Sequence, residues 1–369
     1  MESFIQLRKG RTPRRIHRDL DGLKDDEMGR SGFTGRTAHL YRRNDPTAYR
    51  VEGTLRSVDV RTGELRPSDL DDPDGEPLLL FSNPDCRVSL SRRRVAAPFH
   101  VRNVDGDELW FVHRGHGHVE TEFGRLPYRP GDYVYLPKST TYRQVPEDDA
   151  HVLVIEAREE FRVPEAGVLG RHFPYDSSLV TVPEAEAFDD DGRAEYEVRL
   201  RHSGGRTSLF YPHHPLDVEG WKGDNFPFTF NIDDYDVITS ETVHLPPTIH
   251  LFMQATGVYV MHFLPRPVEA APGAERMPWY HRNVDYDEVA FYHGGSVFGV
   301  QMPEGLISHA PQGIHHGVPE RARERSRRRH DVDQRVEWKV ISIDTRQRLV
   351  PSEAILSAVQ AEVSPEVQI

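Results

Sequence analysis

The side chains this sequence offers for metal chemistry are histidines and carboxylates. His281 is followed seven residues later by Glu288, and further on comes Ser308-His309-Ala-Pro-Gln-Gly-Ile-His315-His316-Gly317. Two imidazoles and one carboxylate on one face of a metal leave its other positions open. Non-haem iron(II) oxygenases use this donor set to hold substrate and dioxygen together. His281 and Glu288 are the first two candidate ligands, and His309, His315 and His316 are candidates for the third. A single cysteine, Cys86, excludes a cysteine-rich zinc or iron-sulfur site and an internal disulfide framework.

Such donors must be carried on elements that converge, and short strands closing into a small barrel do this because inward side chains of successive strands meet at its mouth. The pattern fits. Runs at 107–112 (DELWFV), 132–136 (DYVYL) and 151–155 (HVLVI) are aromatic or β-branched and bounded by turn residues, and similar runs recur at 207–211, 226–230, 257–264, 288–292 and 338–343. The chain also repeats itself. His100-Val-Arg-Asn-Val-Asp-Gly-Asp-Glu108 precedes LWFVHRG, and His281-Arg-Asn-Val-Asp-Tyr-Asp-Glu288 precedes VAFYHGG. In the first copy Thr140, Thr141 and Tyr142 stand where a closing histidine is expected, so that copy is predicted to be metal-free. The expected fold class is all-β, a bicupin of two tandem jelly-roll barrels with few short helices.

The predicted organisation is a lead-in segment over residues 1–85 packed on the barrels, a metal-free barrel over 86–163, a connection over 164–200, a metal-binding barrel over 201–350, and a helix and tail over 351–369. Ser352 is placed to cap that helix, with Ile355, Leu356, Ala358 and Val359 on one apolar face. The Arg-rich run 321–329 is expected to be a solvated loop whose arginines pair with nearby acids. A net charge of -13 argues against general nucleic-acid binding. The absence of a long apolar run, and of an apolar block in the first ten residues, leads us to expect a cytoplasmic protein with no membrane partner. A homo-oligomer is expected.

Three segments give the chain a family resemblance: MPWYHRN (277–283) leading to Glu288, SHAPQGIHHG (308–317), and LDVEGWKGDNFPFTFNIDDY (216–235), with a weaker one at GFTGRTAHLYRRNDPT (32–47). They resemble homogentisate 1,2-dioxygenase, particularly its shorter bacterial relatives. The resemblance implies Fe(II) held by His281, Glu288 and His316. It also implies two further catalytic histidines, His244 in VHLPPTIH as an acid/base group and His309 before the closing ligand. The implied activity is ring cleavage of a hydroquinone-like substrate with dioxygen; a cupin metalloenzyme using the same triad without ring cleavage is the alternative. Trp279 and Tyr280, beside His281, are candidate pocket walls, and His315 is an alternative ligand or pocket residue. The family's Tyr and Lys that receive the substrate carboxylate have no match after Glu288, where Val297, Phe298 and Val300 stand, so Phe298 is expected to line a pocket for a less acidic substrate.

Overall fold

The computed structural model describes residues 7–30, 35–165, 176–203, 205–245 and 250–361. Gly32, Phe33 and the tail 362–369 lie outside them. Among the described residues the chain is all-β apart from two helices and a few short 3-10 turns. It forms two barrels, a bicupin, and the strand runs expected from β-branched and aromatic residues are found as strands.

In the first barrel a seven-stranded sheet runs in the order Phe228–Asn231, Asp132–Leu136, Asp107–Arg114, His151–Ala157, Cys86–Ser91, Leu78–Ser82, Val350–Pro351. It faces a six-stranded sheet that contains His100–Asn103 and Thr141–Pro146. In the second barrel the order is Leu251–Ala255, Val258–Phe263, Lys339–Thr345, Asp287–Gly294, Leu306–Ala310, Val58–Arg61, with a three-stranded sheet of Thr37–Arg42, Lys24–Gly29 and Tyr280–Asn283 opposite.

The accessory strands reveal how the duplication is arranged. In the first barrel, Tyr196–His202 runs parallel to His100–Asn103 and pairs back with Gly205–Tyr211. In the second, Lys24–Gly29 runs parallel to Tyr280–Asn283 and pairs back with Thr37–Arg42. Likewise Phe228–Asn231 edges one barrel and Val58–Arg61 edges the other. Each barrel therefore receives its hairpin and edge strand from the chain segment that precedes the other barrel. Residues 196–231, divided in the sequence reading between the connection and the second barrel, hydrogen-bond into the first. We propose the boundary between Asn231 and Leu251. Turn spacing locates strands but does not say which sheet a strand joins, because parallel partners are distant in sequence.

The barrels meet on equivalent outward faces. Leu109 and Phe111 of one and Val289 and Phe291 of the other are buried in a shared core, as expected for strands whose alternate residues face opposite sides. His113 and His293 hold equivalent positions and touch, Nδ1 to Nδ1, at 2.9 Å.

Two local expectations need correction. Glu320–Arg328 is an α-helix rather than a loop. Arg, Glu and Ala are good helix formers, and Glu324 and Arg328 pair at i,i+4 across 3.6 Å. Arg327 does pair with Glu275 and Glu320. Arg323 is buried and lies over the Tyr280 ring at 4.0 Å. In the C-terminal helix Glu353–Ala361, Ser352 Oγ accepts the Ile355 N–H at 3.4 Å, and Ile355 is buried, but Leu356 is 38% exposed. Its apolar face is narrower than the composition suggested. Among the described residues, no helix is long and apolar enough to cross a membrane.

Candidate metal centre

The strands Tyr280–Asn283 and Asp287–Gly294 carry His281 and Glu288, and His316 returns beside His281 just before Gly317. The histidine backbones exchange two hydrogen bonds, His281 N–H to His316 O and His316 N–H to His281 O, each 2.9 Å. That pairing puts both rings on one face, with centroids 4.0 Å apart. Both Nε2 atoms converge on one carboxylate oxygen, Glu288 Oε2, at 3.1 Å from His281 and 3.3 Å from His316. The three donor atoms lie within 4.8 Å of one another, and among the described residues no other His, Cys, Asp and Glu group does so.

The chemistry of this donor set fits a metal ion. His316 Nδ1 lies 3.0 Å from the Ile314 carbonyl, to which it donates. This leaves Nε2 with its lone pair directed at the cluster. Burial alone would raise the Glu288 carboxyl, but the His316 and His281 rings outweigh it and hold Glu288 well below the usual carboxylate range. Burial likewise opposes charge on His316, and the Glu288 carboxylate overcomes it, raising that imidazole. Asn283 Nδ2 donates to the same Glu288 oxygen at 3.3 Å. The cross-strand partner of Glu288 is Asp344, whose buried carboxyl is pushed well above its ordinary value by desolvation and by Glu288.

The first barrel shows what happens when the set is lost. Val101 pairs with Tyr142 as His281 pairs with His316, so these two residues occupy the histidine positions. His100 falls at the position of Tyr280, one residue off, and packs against His214. Comparing His100 with His281 was therefore a register error, because one residue along a strand changes the face. Glu108 keeps the place of Glu288, but its oxygens accept from Asn103 at 2.9 Å, Trp110 at 2.8 Å, Tyr142 at 2.9 Å and the Arg201 guanidinium. A guanidinium thus sits where a metal would. The strand position of Arg201, opposite Asn103, belongs in the second barrel to Gly29, opposite Asn283. Gly29 sends no side chain toward Glu288 from that position.

Other site residues expected from the sequence are dispersed. Trp279 is buried two positions before His281, its ring edge-on to His17, His39 and His244 at 5.2, 5.3 and 5.9 Å. His244 is 3% exposed, and its Nδ1 lies 3.0 Å from Arg266 Nη2. Arginine only donates, so Nδ1 is the acceptor and the ring proton sits on Nε2, which has no partner among the described residues. Burial, with the Arg266 charge, pushes His244 down to about 4 despite Glu269 nearby.

Four residues stand apart from the triad in the structure. His309 points to the inter-barrel core, where Nε2 donates to Asp287 at 2.8 Å and the ring packs on Phe81. Asp287 and Glu288 are adjacent in a strand and so face opposite ways. Tyr135 makes the equivalent bond to Asp107 in the first barrel at 2.7 Å, which marks the interaction as architectural. His315 faces away from the triad, toward Arg282 at 2.7 Å and Asp26 at 3.2 Å. Tyr280 turns to Asp45 and Glu320 on that same reverse side. Phe298 is buried with Val268, Met277, Val336 and Trp338 in a satellite core.

The sequence reading missed Glu27 and His39. Glu27 is the cross-strand partner of both His281 and His39, and His39 Nε2 lies 3.4 Å from its carboxylate. Burial pushes Glu27 up to about 7, with His39 opposing and Asp25 and Asp26 reinforcing the shift. The only hint in the sequence was the run of acids Asp25, Asp26 and Glu27 in a strand-length segment.

Comparison with known proteins agrees with this architecture. Residues 95–232 match the family model "Homogentisate 1,2-dioxygenase N-terminal". A protein of Saccharolobus solfataricus named "Putative dioxygenase SSO1533" is 27% identical over 336 residues, 83% of this chain and 86% of that protein. The homogentisate 1,2-dioxygenase of Bradyrhizobium diazoefficiens is 26% identical over 219 residues, 56% of this chain and 47% of the relative. That of Emericella nidulans is 26% identical over 190 residues, 49% of this chain and 42% of the relative. These two matches thus span less than half of each named homogentisate enzyme. Two barrels and one convergent triad thus accompany a likeness to homogentisate 1,2-dioxygenases and to a putative dioxygenase, and the fold of the chain is that of a bicupin.

Proposed function

We propose that the chain is an iron(II)-dependent dioxygenase that opens the ring of a small hydroxylated aromatic substrate. The observation that carries this reading is the convergence of His281, Glu288 and His316 in one barrel, set against the loss of two of the three donors in the other. Bound iron(II) would supply the open coordination positions and redox chemistry through which dioxygen and a hydroxylated ring react.

The chain's own residues then do five things. The backbone pair between His281 and His316 holds two donors in place before any ion arrives. Asn283 fixes the Glu288 carboxylate. Trp279 forms a dry wall two positions from His281, and His244 presents its Nε2–H from behind that wall as a hydrogen-bond donor for orienting a substrate oxygen or moving its proton. Gly29 places no side chain where Arg201 stands in the first barrel.

The test is anaerobic loading with iron(II), followed by oxygen-electrode screening of dihydroxyaromatics with and without acidic side arms. Substrate-dependent oxygen uptake and an open-chain product are expected. Uptake without ring opening would favour the alternative of a cupin oxidase, and no uptake from any member of the panel would remove the proposal.

A further inference from the structure

His244 is set to give a proton rather than to take one. Its Nδ1 lone pair accepts from Arg266, and its Nε2 already carries the ring hydrogen. A phenolic hydroxyl that loses its proton beside a metal ion needs a different acceptor. The row of residues that starts at His281 offers one, since it runs across the sheet to Glu27 and on to His39. Burial would raise the Asp25 carboxyl, but hydrogen bonds from His17 and His39 hold it down at about 2, so Asp25 is a carboxylate and only accepts. His39 Nδ1 donates to it at 2.8 Å, which leaves the lone pair on Nε2. A proton taken up there has Glu27 Oε2 3.4 Å away to stabilise the charge, and the ring stands edge-on to Trp279 at 5.3 Å. Among the described residues, Asp25 and Glu27 pair with imidazoles and with no lysine or arginine.

The metal-free barrel separates what belongs to the fold from what belongs to the site. Its equivalent row runs from Val101 to Arg199 and Ser208, with Glu197 in the place of Asp25 and Phe99 in that of Trp279. There the Arg199 guanidinium and the Ser208 hydroxyl both donate to Glu197 Oε1, at 2.8 and 2.6 Å, and the guanidinium lies over the Phe99 ring at 3.3 Å. The carboxylate and the aromatic wall are thus common to both barrels. Between them stand a guanidinium and a hydroxyl in one barrel, neither of which accepts a proton near neutral pH, and a carboxyl and an imidazole in the other.

We infer that His39, held by Asp25, is the proton-accepting residue of the metal site. The inference rests on the proposed function, which it deepens by naming where the substrate's proton goes. As a phenolic substrate binds, its O–H bond breaks, the oxygen keeps the electron pair, and the proton forms an N–H bond at His39 Nε2. Burial opposes charge on this ring, but Asp25, Glu27 and Asp26 of the neighbouring strand outweigh it and raise His39 above its ordinary value. The other ionisable groups around it are imidazoles: His281 at the head of the row, and His17 and His244, which stand edge-on to the same Trp279 ring at 5.2 and 5.9 Å. The two histidines then have complementary tasks, His244 as donor and His39 as acceptor.

The experiment is an anaerobic pH titration of the iron-loaded full chain with bound 4-nitrocatechol, whose singly and doubly deprotonated forms differ in colour. It is run on wild type, His39→Gln, Asp25→Asn and His244→Gln, with iron content and thermal melting recorded alongside, and His315→Gln on the reverse side is the control. Each variant should keep one iron per chain. In His39→Gln the second deprotonation of the bound probe should move up by about one pH unit or more, a tenfold change in the equilibrium, and in Asp25→Asn it should move the same way by less. His244→Gln should move it less than His39→Gln does, and the control should match wild type within about twofold. Glutamine fills the space of His39 and can still donate to Asp25 without accepting a proton, so a packing role predicts no shift. Asp25→Asn carries the test if His39→Gln does not fold. An unshifted probe in the folded, iron-loaded His39 and Asp25 variants would overturn the assignment while leaving the proposed function standing, and so would a shift in His244→Gln as large as that in His39→Gln. No change of probe colour on mixing with iron-loaded wild type would overturn the proposed function and this inference with it.

Discussion

His281 and His316 donate to and accept from each other's backbones, at 2.9 Å in both directions. Ligand geometry is therefore built by sheet-like pairing, and the neighbour His315 is turned to the reverse side, toward Asp26 and Arg282. His316→Ala should lose its metal on desalting, and His315→Ala should keep one ion per chain, both read by elemental analysis. The opposite outcome would mean that the loop places its donors differently in solution.

Arg201 and Gly29 hold the same position in the two barrels, which makes the metal site open to a direct transplant. Gly29→Arg should place a guanidinium beside Glu288 and abolish metal binding, while His100→Ala leaves metal content unchanged. Arg201→Ala should destabilise the fold by about 3–5 kcal/mol, because Glu108, 1% exposed, is left without its cation. Elemental analysis and urea unfolding check the three variants, and a metal-replete Gly29→Arg protein would contradict the comparison.

The histidines between the barrels make stability depend on acidity. Burial, helped by neighbouring positive groups, pushes His113 down to about 2, His151 to about 3 and His293 to about 4. Arg92, Arg114 and Lys339 reinforce this, and Asp149 and Asp233 oppose it. The folded values lie below the unfolded value of about 6.5, so in the window between them the unfolded chain binds more protons. The stabilisation is complete above about pH 6.5 and is lost as pH falls, by up to about 1.4 kcal/mol per pH unit for each histidine. Urea midpoints should fall between about pH 7.5 and about pH 5.5, and His113→Gln should flatten the slope; midpoints that rise on acidification would be the wrong sign.

His244 lies outside the donor set, yet its Nε2–H has no partner among the described residues. His244→Ala is expected to retain its metal and lose turnover by about 10² to 10⁴, the usual range for a positioned acid/base group. Turnover near that of wild type in a metal-loaded variant would make His244 part of the packing around Trp279 and nothing more.

The parts of this account visible in the sequence are those that depend on local chemistry. Alternating β-branched runs marked the strands, the RNVDxDE repeat marked the duplication, and Thr141-Tyr142 marked the loss of a donor in the first barrel. What could not be seen depended on register and on distant pairing. The one-residue offset between His100 and His281 changes the face on which a side chain stands, and adjacent Asp287 and Glu288 send His309 and the metal donors to opposite sides. Glu27 and Gly29 approach His281 and Asn283 through a parallel pairing between segments on opposite sides of the first barrel in the chain. Nothing in either segment's composition announces that partner. The Arg-rich helix was missed because its charge pattern suits both a solvated loop and an i,i+4 paired helix.

The most direct test of a single-site dioxygenase is the mass of the product formed by the iron-loaded chain from a hydroxylated aromatic substrate under ¹⁸O₂. The expected product carries both oxygen atoms of one dioxygen molecule, after correction for exchange with water, and is absent with His281→Ala. A product without that label, or one formed equally well by His281→Ala, would contradict it.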